Sequence, residues 1–316
     1  MTADEIEYRP DRTPLVHPGE MDLHVRDMTA TFSADVTLAE AQGRLAELGQ
    51  WLPVDGDPSR TLGKLVERNS SGPLRLGYGA WRDLLLGCQF HNGNGQLITA
   101  GGRTVKNVAG YDLTKLMVGQ GGALGRLVTV TTRTYRRPAG AILARFPADV
   151  WQINRLLPTP CRPQWAVLTR EATLCGYLGD ERTLVYYDGA LGAHGPTEMT
   201  RRSVDDDIEH RRQLWRAAGA DGSFRASVPP VKILEFVERA GLSDWSADAA
   251  FGVVVGFASA DTRDAIRGAA RHLGGGVHFG DQGRTSVQFD AARRALLGRL
   301  KQAFDPDGKL EPLPEP

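Results

Sequence analysis

The sequence predicts an α+β fold divided into two domains, residues 1–138 and 139–316. A chain of 316 residues is long enough for two domains of ordinary size. In the second half, short strands have the spacing of an antiparallel meander and are segregated from the helices. The first half is rich in glycine, and the composition changes after Pro138. These observations predict an antiparallel sheet in the second domain and a region of glycine-rich loops in the first.

The first half contains one amphipathic helix among several strands. Thr37 is the predicted N-cap of a helix over residues 38–48, and Gly49 ends it. The apolar residues of this helix recur at helical spacing on one face: Leu38, Ala41, Leu45 and Leu48. Strands are predicted over residues 29–34, 84–90, 96–100 and 127–135. The N-G-N-G sequence at 92–95 is a hairpin signal between the middle two strands.

The second half combines helices with mostly short strands. The predicted helices cover residues 148–157, 203–218, 231–240, 261–273 and 290–304. The predicted strands cover residues 141–146, 165–169, 174–178, 183–187, 224–228, 251–257 and 277–279. Helices and strands do not alternate as strict βαβ units, so we expect an antiparallel sheet covered by helices.

Composition excludes several classes of protein. Lys and Arg total 38, as do Asp and Glu, so no net positive field exists to bind nucleic acid or an anionic membrane. Cys88, Cys161 and Cys175 lack CxxC or metal-ligand spacing and are expected to be reduced, buried thiols. The N-terminal residues lack the apolar stretch of a signal peptide. The longest apolar segment, residues 251–257, is too short to span a bilayer. We therefore expect a cytoplasmic protein that reaches a membrane only through a partner.

Two glycine-rich segments, residues 61–87 and 101–125, are the most informative part of the chain. Glycine lets backbone N–H groups approach a ligand closely, and successive N–H groups can form an anion site. Asp112 is placed to cap a short helix, and Gly119 is placed to end it. Neither segment has the P-loop pattern or a GxGxxG that opens a helix after a strand. These residues alone are consistent with two interpretations of the segments: a loop that binds a phosphate or cofactor, and a set of tight turns without a ligand.

The second segment contains the sequence V-K-N-V-A-G-Y-D-L-T-K-L, residues 105–116, followed by G-G-A-L-G. This run resembles the FAD-linked oxidases of the vanillyl-alcohol oxidase (PCMH) type, and in particular the family of the FAD-binding GlcE-type subunit of bacterial glycolate oxidase. The resemblance is specific over about residues 28–138 and patchy beyond. Further matching segments are T-L-G at 61–63, N-S-S-G at 69–72, W-R-D-L at 81–84, R-A-S-V-P-P at 225–230 and F-D-P-D-G at 304–308.

The resemblance implies an FAD domain of two α+β subdomains, the first truncated here, and a C-terminal α+β cap domain with an antiparallel sheet. It implies FAD as cofactor, bound along three loops. It also implies a partnership with a second flavoprotein subunit and an iron–sulfur subunit in the oxidation of glycolate to glyoxylate. The cofactor-binding residues that it suggests are Pro58, Thr61, Leu62, Gly63, Ser71, Gly72, Gly77, Gly119, Gly121, Gly122, Ala123, Gly125 and Leu127.

Several positions differ from the family pattern. The P-x-G-G-G-T loop is not found, Lys64 replaces the second glycine of T-L-G-G, and Glu311 replaces the final asparagine. Gln120 and Ala123 replace hydroxyl residues of the second turn, and Arg126 follows it. Three functions are therefore weighed. The first is an FAD-linked oxidoreductase subunit, the second is an FAD-free scaffold subunit of such a complex, and the third is a stand-alone flavin reductase.

The remaining polar side chains assign no catalytic group. Lys106 and Arg103 could neutralise a phosphate or simply face solvent, and Asp112 could act as a base but is better explained as a cap. Tyr111 could contact a ring or lie in the core. His91 is explained by a surface position at a hairpin end. We identify no catalytic base, no Ser/His/Asp order and no metal-ligand cluster.

Overall fold

The computed structural model describes residues 14–103, 113–217, 220, 222–280 and 291–313. The strands are β1 (Met21–His24), β2 (Thr29–Ser33), β3 (Gln50–Trp51), β4 (Leu85–His91), β5 (Leu97–Gly101), β6 (Arg126–Arg133), β7 (Tyr135–Arg136), β8 (Gly140–Pro147), β9 (Trp165–Thr169), β10 (Ala172–Gly179), β11 (Glu198–Arg202), β12 (Ser223–Ser227), β13 (Trp245–Asp248), β14 (Val253–Phe257) and β15 (Gly276–Phe279). The helices are α1 (Leu38–Ala46), α2 (Leu62–Glu67), α3 (Arg75–Tyr78), α4 (Trp81–Leu84), α5 (Leu113–Met117), α6 (Gln152–Leu156), α7 (Glu181–Ala190), α8 (Val204–Leu214), α9 (Ile233–Arg239), α10 (Arg263–His272) and α11 (Ala291–Phe304). The strand pairs are antiparallel, and the α+β class is confirmed.

The chain divides into two compact units. The first consists of residues 1–71, 79–137 and 290–313, and the second of residues 72–78, 138–289 and 314–316. The sequence predicts two contiguous domains that meet at residue 138. The structure differs at two segments, because residues 72–78 pack with the second unit and residues 291–313 pack with the first.

The first unit is built on a five-stranded sheet in the order β1-β2-β6-β4-β5. Side chains alternate along a strand, so Ala30 and Phe32 of β2 face the apolar core while Thr31 lies on the other face. Thr31 Oγ1 lies 2.9 Å from Thr131 Oγ1 of β6, so this polar pair is satisfied within the sheet. A two-stranded ribbon of β3 and β7 completes the sheet structure of the unit.

Helix α1 begins where its sequence predicts, but it ends at Ala46 rather than at Leu48, and Leu48 is 43% exposed instead of lying on the buried face. Thr37 caps it, and Glu40 closes a capping box by accepting from the Thr37 backbone N–H at 2.8 Å. Leu38, Ala41 and Leu45 are buried in the core of the first unit, because they recur on one face of the helix.

The second unit is built on an eight-stranded antiparallel sheet in the order β11-β8-β10-β9-β13-β14-β12-β15. One large apolar core includes residues of strands β8, β9, β10, β12 and β14 and of helices α6, α7, α9 and α10. Trp165 lies on the opposite face, where its indole N–H donates to Asp207 of α8 at 3.1 Å. Asp207 also pairs with Arg211 one turn along the same helix, so this buried acid has a counter-charge.

One predicted element of the second unit is wrong. The composition of residues 183–187 predicts a strand, but these residues lie inside helix α7. Asp180 accepts hydrogen bonds from the backbone N–H of Thr183 at 2.9 Å and from its hydroxyl at 2.7 Å. This N-cap starts a helix and outweighs the strand preference of the apolar and aromatic residues that follow.

The three cysteines are buried and form no disulfide. Burial raises the pKa of the Cys161 and Cys175 thiols, because the charged thiolate loses its hydration. Both thiols are therefore poor nucleophiles at neutral pH. Within the ranges described above, no helix has both the length and the apolar character needed to cross a membrane.

Candidate functional site

The first glycine-rich segment begins at the N-terminus of α2. The Thr61 side chain caps this helix. The backbone N–H of Leu62 donates to the carbonyl of Val36 at 2.8 Å, and that of Gly63 donates to the carbonyl of Ala34 at 2.9 Å. A Cβ on Gly63 would lie 2.9 Å from the Cβ of Ala34, so glycine is required here for close packing. The first-turn donors of α2 are thus engaged within the unit rather than free to bind an anion.

Pro58 lies just before this helix, in the turn that follows β3. Its carbonyl accepts a hydrogen bond from the backbone N–H of Ala39 at 2.9 Å. The carbonyl of Arg60 accepts from the backbone N–H of Leu38 at 3.0 Å. The turn is therefore attached to the first residues of α1, and Pro58 itself is half-buried.

The second glycine-rich segment forms a tight turn between α5 and β6, residues 119–125, which we call the glycine turn. Gly119, Gly121 and Gly122 have φ values of 79°, 66° and 87°. Residues with a side chain rarely adopt this left-handed conformation, so glycine is required at all three positions. A Cβ on Gly121 would meet no heavy atom within 4 Å, and this glycine is exposed. The outer side of the turn at Gly121 is bare main chain.

The backbone donors of the glycine turn point inward. The N–H of Gly119 donates to the carbonyl of Val66 at 3.0 Å, and that of Gly121 donates to the carbonyl of Glu67 at 2.9 Å. These two bonds join the turn to the end of α2. The start of the first glycine-rich segment, helix α2, and the glycine turn of the second segment are therefore adjacent in the first unit.

Gln120 holds the turn together from inside. Its side-chain carbonyl accepts from the backbone N–H of Leu124 at 2.8 Å, and its amide donates to the carbonyl of Gly125 at 2.9 Å. The backbone N–H of Ala123 donates to the Gln120 carbonyl at 3.1 Å. Gln120 is buried, so it replaces the family's hydroxyl residue with a side chain that spans the turn.

The end of the turn is part of the core. A Cβ on Gly125 would lie 2.5 Å from Cδ2 of Phe90 and 3.2 Å from Cε of Met117. Leu127 is buried in the same apolar cluster. Internal packing therefore accounts for glycine at position 125, whether or not a ligand contacts it.

The middle candidate loop is divided between the two units. Ser71 belongs to the first unit, whereas Gly72 and Gly77 belong to residues 72–78 of the second, which we call the strap. A Cβ on Gly77 would lie 2.8 Å from the Cα of Gln164, so this glycine permits close backbone packing in the second unit. The structure thus brings together the candidates on α2 and on the glycine turn, and it places Gly72 and Gly77 in a different body.

A buried ion pair anchors the strap. Nε of Arg75 donates to Oδ2 of Asp248 at 2.8 Å, and the Asp248 side chain is 1% exposed. The guanidinium carbon of Arg75 also lies 4.1 Å from the ring centroid of Phe251. Burial, together with the nearby Arg75 charge, lowers the pKa of Arg225 to about 10, which leaves it protonated at neutral pH.

Other side chains weighed from sequence have structural partners. Nδ1 of His91 lies 3.1 Å from the carbonyl of Gly95 in the β4–β5 hairpin, as expected of a hairpin-end residue. Arg103 donates to Asp22 at 2.8 Å. The motif at 105–112, with Lys106, Tyr111 and Asp112, lies outside the described residues. No cluster of His, Cys, Asp or Glu able to hold a metal occurs in the part of the chain that the structure describes.

Two features of the first unit are not anticipated from sequence. A cavity of about 430 Å³ opens on strands β4, β5 and β6, and none of the predicted cofactor residues lines it. Its lining residues are Leu15, Gly87, Cys88, Thr99, Ala100, Gly101, Gly102, Arg103 and Thr131. The second feature is Lys301 of α11, whose ammonium contacts the carbonyl of Ala123 at 3.0 Å. The i,i+4 spacing of Lys301 and Asp305 is the signal that could have indicated it.

Comparison with known proteins relates the N-terminal part of the chain to a cofactor. Residues 18–101 match the family model described as an FAD binding domain. The chain is 33% identical to glycolate oxidase subunit GlcE of Escherichia coli (strain K12), over 94% of this chain and 84% of that protein. The domain is an FAD binding domain, and its cofactor is FAD.

Other relatives match a shorter part of the chain. It is 32% identical to the mitochondrial D-lactate dehydrogenase (cytochrome) of Arabidopsis thaliana, over 40% of this chain and 22% of that protein. It is also 32% identical to glycolate oxidase subunit GlcD of Bacillus subtilis (strain 168), over 37% of this chain and 26% of that protein. The chain thus spans about a quarter of the length of these two relatives.

Solved structures extend the comparison to the fold. A structure of alkyldihydroxyacetonephosphate synthase superposes with a TM-score of 0.64 at 13% identity, covering 90% of this chain and 64% of that one. This similarity shows that the fold is shared over most of the chain.

The glycine turn fits FAD as a packing surface. The bare main chain at Gly121 leaves open space in which a ligand could lie at van der Waals distance, and a side chain there would occupy that space. The donors of Gly119, Gly121, Ala123 and Leu124 are used within the protein. A ligand at the turn would therefore meet its surface rather than free N–H donors at these four positions.

Proposed function

The chain belongs to the family of glycolate oxidase subunit GlcE, FAD-linked oxidoreductases, and we propose that it is the FAD-binding subunit of a complex that oxidises 2-hydroxy acids such as glycolate. The observation that carries this proposal is the bare, left-handed main chain of the glycine turn, which is held against α2, and α2 lies within the residues that match the FAD binding domain. Relatives are named for D-lactate, glycolate and D-2-hydroxyglutarate, which are all 2-hydroxy acids.

In this proposal the chain binds and orients the cofactor. FAD, when bound, supplies a redox centre that accepts a hydride from a carbon next to a hydroxyl group. The glycine turn provides a surface without side chains at Gly121. Lys64, whose side chain is 61% exposed, and Arg126, which is also exposed, would supply positive charge for the pyrophosphate. Lys64 is already paired with Glu67 at 2.8 Å, so it offers only part of its charge.

The proposal includes partners and a location. We infer that the chain assembles with a second flavoprotein subunit and an iron–sulfur subunit, and that it lies in the cytoplasm, at a membrane only through those partners. No base is assigned among the described residues, so substrate deprotonation is expected to be performed by groups of the partner flavoprotein.

Flavin content tests the proposal. The protein is purified alone and after co-expression with its partner subunits, and absorbance near ~450 nm and FAD release on denaturation are measured. We expect bound FAD in at least one of the two preparations. Colourless protein in both preparations, recovered together with the partners, would show an FAD-free scaffold subunit and contradict the proposal.

A matched pair of variants tests the position of the cofactor. Gly121→Ala and Gly241→Ala carry the same backbone strain, because their φ values are 66° and 63° and a Cβ meets no heavy atom at either position. Each is expected to lose about 1–2 kcal/mol of stability. We expect Gly121→Ala alone to reduce flavin content. Equal flavin content in the two variants would refute the assignment of the turn to the cofactor.

A further inference from the structure

The chain after α11 folds back onto the glycine turn. We call residues 305–313 the tail. The ammonium of Lys301 donates to the carbonyl of Ala123 at 3.0 Å, to the carbonyl of Glu311 at 2.8 Å and to Oδ2 of Asp305 at 2.6 Å. One cation thus joins the turn, the tail and the end of α11.

The ammonium is fully used by these contacts. A lysine ammonium has three donors, and Lys301 has one acceptor for each. Its side chain is 17% exposed, and that of Asp305 is 0% exposed. Asp305 also accepts from the backbone N–H groups of Lys309 at 2.8 Å and Leu310 at 2.9 Å. The carboxylate therefore holds both Lys301 and the tail in place.

The tail is seated at both of its ends. The backbone N–H of Gly93 donates to the carbonyl of Phe304 at 2.8 Å, and a Cβ on Gly93 would collide with Asp305. At the other end, Cγ of Glu311 lies 3.0 Å from the position of a Cβ on Gly122. Glu311 therefore covers the Gly122 side of the turn.

We propose that Lys301 is a positioning residue that holds the glycine turn in its cofactor-binding conformation through the carbonyl of Ala123. The tail closes the Gly122 side, so the cofactor is received on the open side at Gly121. Gln120 fixes the turn through amide groups, whereas Lys301 fixes the buried Ala123 carbonyl, so the two act on different atoms of the same turn. This inference rests on the proposed function, because it takes the glycine turn as the cofactor contact.

The test uses the full chain with Lys301→Met, which keeps an apolar stem and removes the ammonium. Lys309→Met is the control, because Lys309 lies in the same tail and pairs at 2.8 Å with exposed Asp307. Amide hydrogen exchange of residues 120–125 is measured without FAD, and FAD affinity is measured by titration of flavin-free protein. We expect at least tenfold faster exchange and at least tenfold weaker FAD binding in Lys301→Met, with changes under twofold in Lys309→Met.

Each alternative result has a defined meaning. Unchanged exchange in Lys301→Met refutes the role of Lys301 in the turn. Faster exchange with FAD affinity unchanged within twofold refutes the link to the cofactor, because a purely structural role would give that combination. If the unmodified protein binds no FAD either alone or after co-expression with its partners, the proposed function and the cofactor part of this inference fail together, while amide exchange still decides whether Lys301 fixes the turn.

A second variant covers the case in which Lys301→Met does not fold. Lys301→Arg keeps the charge opposite Asp305, but its planar guanidinium presents donors in a geometry different from that of an ammonium. We expect exchange of the turn and FAD affinity to be intermediate between the unmodified protein and the values predicted for Lys301→Met. If amide exchange and FAD affinity of Lys301→Arg equal those of the unmodified protein, the turn does not require an ammonium that donates to all three acceptors.

Discussion

Replacing Asp248 by asparagine tests how firmly the strap is anchored in the second unit. Oδ2 of Asp248 accepts from Nε of Arg75 at 2.8 Å, and Oδ1 accepts from the backbone N–H groups of Ala250 at 3.2 Å and Phe251 at 3.3 Å. Asparagine can retain the two bonds to the backbone. It cannot balance the guanidinium, so the variant isolates the ionic part of the interaction.

The expected loss of stability in Asp248→Asn depends on how deeply the ion pair is buried. A hydrogen bond to a charged group contributes about 1.5–3 kcal/mol, and removing one partner of a buried ion pair costs about 3–5 kcal/mol. Asp248 is 1% exposed but Arg75 is 17% exposed, so water recovers part of the loss on the arginine side. Nη2 of Arg75 is buried with no hydrogen-bond partner among the described residues, so little else compensates. We expect Asp248→Asn to lower the free energy of unfolding by about 3 kcal/mol, the lower end of that range.

The assay is urea unfolding followed by tryptophan fluorescence and circular dichroism. Asp244→Asn is the control, because Asp244 pairs with Arg216 at 2.7 Å while both side chains are more than half exposed. An exposed pair is expected to contribute about 1 kcal/mol or less. A loss for Asp248→Asn no larger than that for Asp244→Asn would refute the reasoning.

Three further predictions concern the first unit. Gly125→Ala places a Cβ 2.5 Å from Phe90 and should lower the free energy of unfolding by about 1–3 kcal/mol; an unchanged thermal midpoint would contradict this. Gly43 lies within α1, and a Cβ there would meet no heavy atom within 4 Å. Gly43→Ala should therefore raise the free energy of unfolding by about 0.5–1 kcal/mol, and a lower thermal midpoint would contradict this. Burial acts to raise the pKa of Asp305, but Lys301 and two backbone N–H groups outweigh it and hold the pKa below the ordinary 3.8. The ionised Asp305 carboxylate therefore contributes fully to the free energy of unfolding above about pH 3.8, and this contribution is lost as the pH falls through the lowered pKa of Asp305. In Asp305→Asn the free energy of unfolding should depend less on pH below about pH 3.8. An unchanged pH dependence in that range would disprove the stabilising role of the Asp305 carboxylate.

Local signals in the sequence are sufficient for the elements that have strong caps or regular patterns. Helix α1 has its predicted cap at Thr37, and three of the four residues predicted on its apolar face are buried, Leu48 being the exception. The β4–β5 hairpin also lies where its N-G-N-G turn indicates. These elements depend on residues close together in the chain, and such residues can be read from one sequence.

Helix α7 shows where the local pattern misleads. The residues 183–187 have strand-like composition, but Asp180 caps a helix three residues before them. A side chain that satisfies an N–H group at the start of a helix can decide between two conformations of similar preference. The cap is present in the sequence, and giving it more weight than the composition corrects the prediction.

The candidate site could be predicted as a region but not residue by residue. Gly63 and Gly125 need to be glycine because Ala34 and Phe90 fill the space beside them, whereas Gly121 faces open space. These contacts join residues far apart in sequence, so no single-sequence pattern separates the two kinds of glycine. The position of Gly77 against Gln164 is hidden for the same reason.

The packing of α11 and the tail with the first unit has a consequence for biosynthesis. Helix α11 and the tail belong to the first unit, yet the ribosome makes them after nearly all of the second unit. The first unit cannot complete its core, which includes Leu300 and Phe304, until translation has passed them. We therefore expect nascent chains that stop near residue 280 to expose an unfinished first unit, which makes them targets for chaperones and proteases.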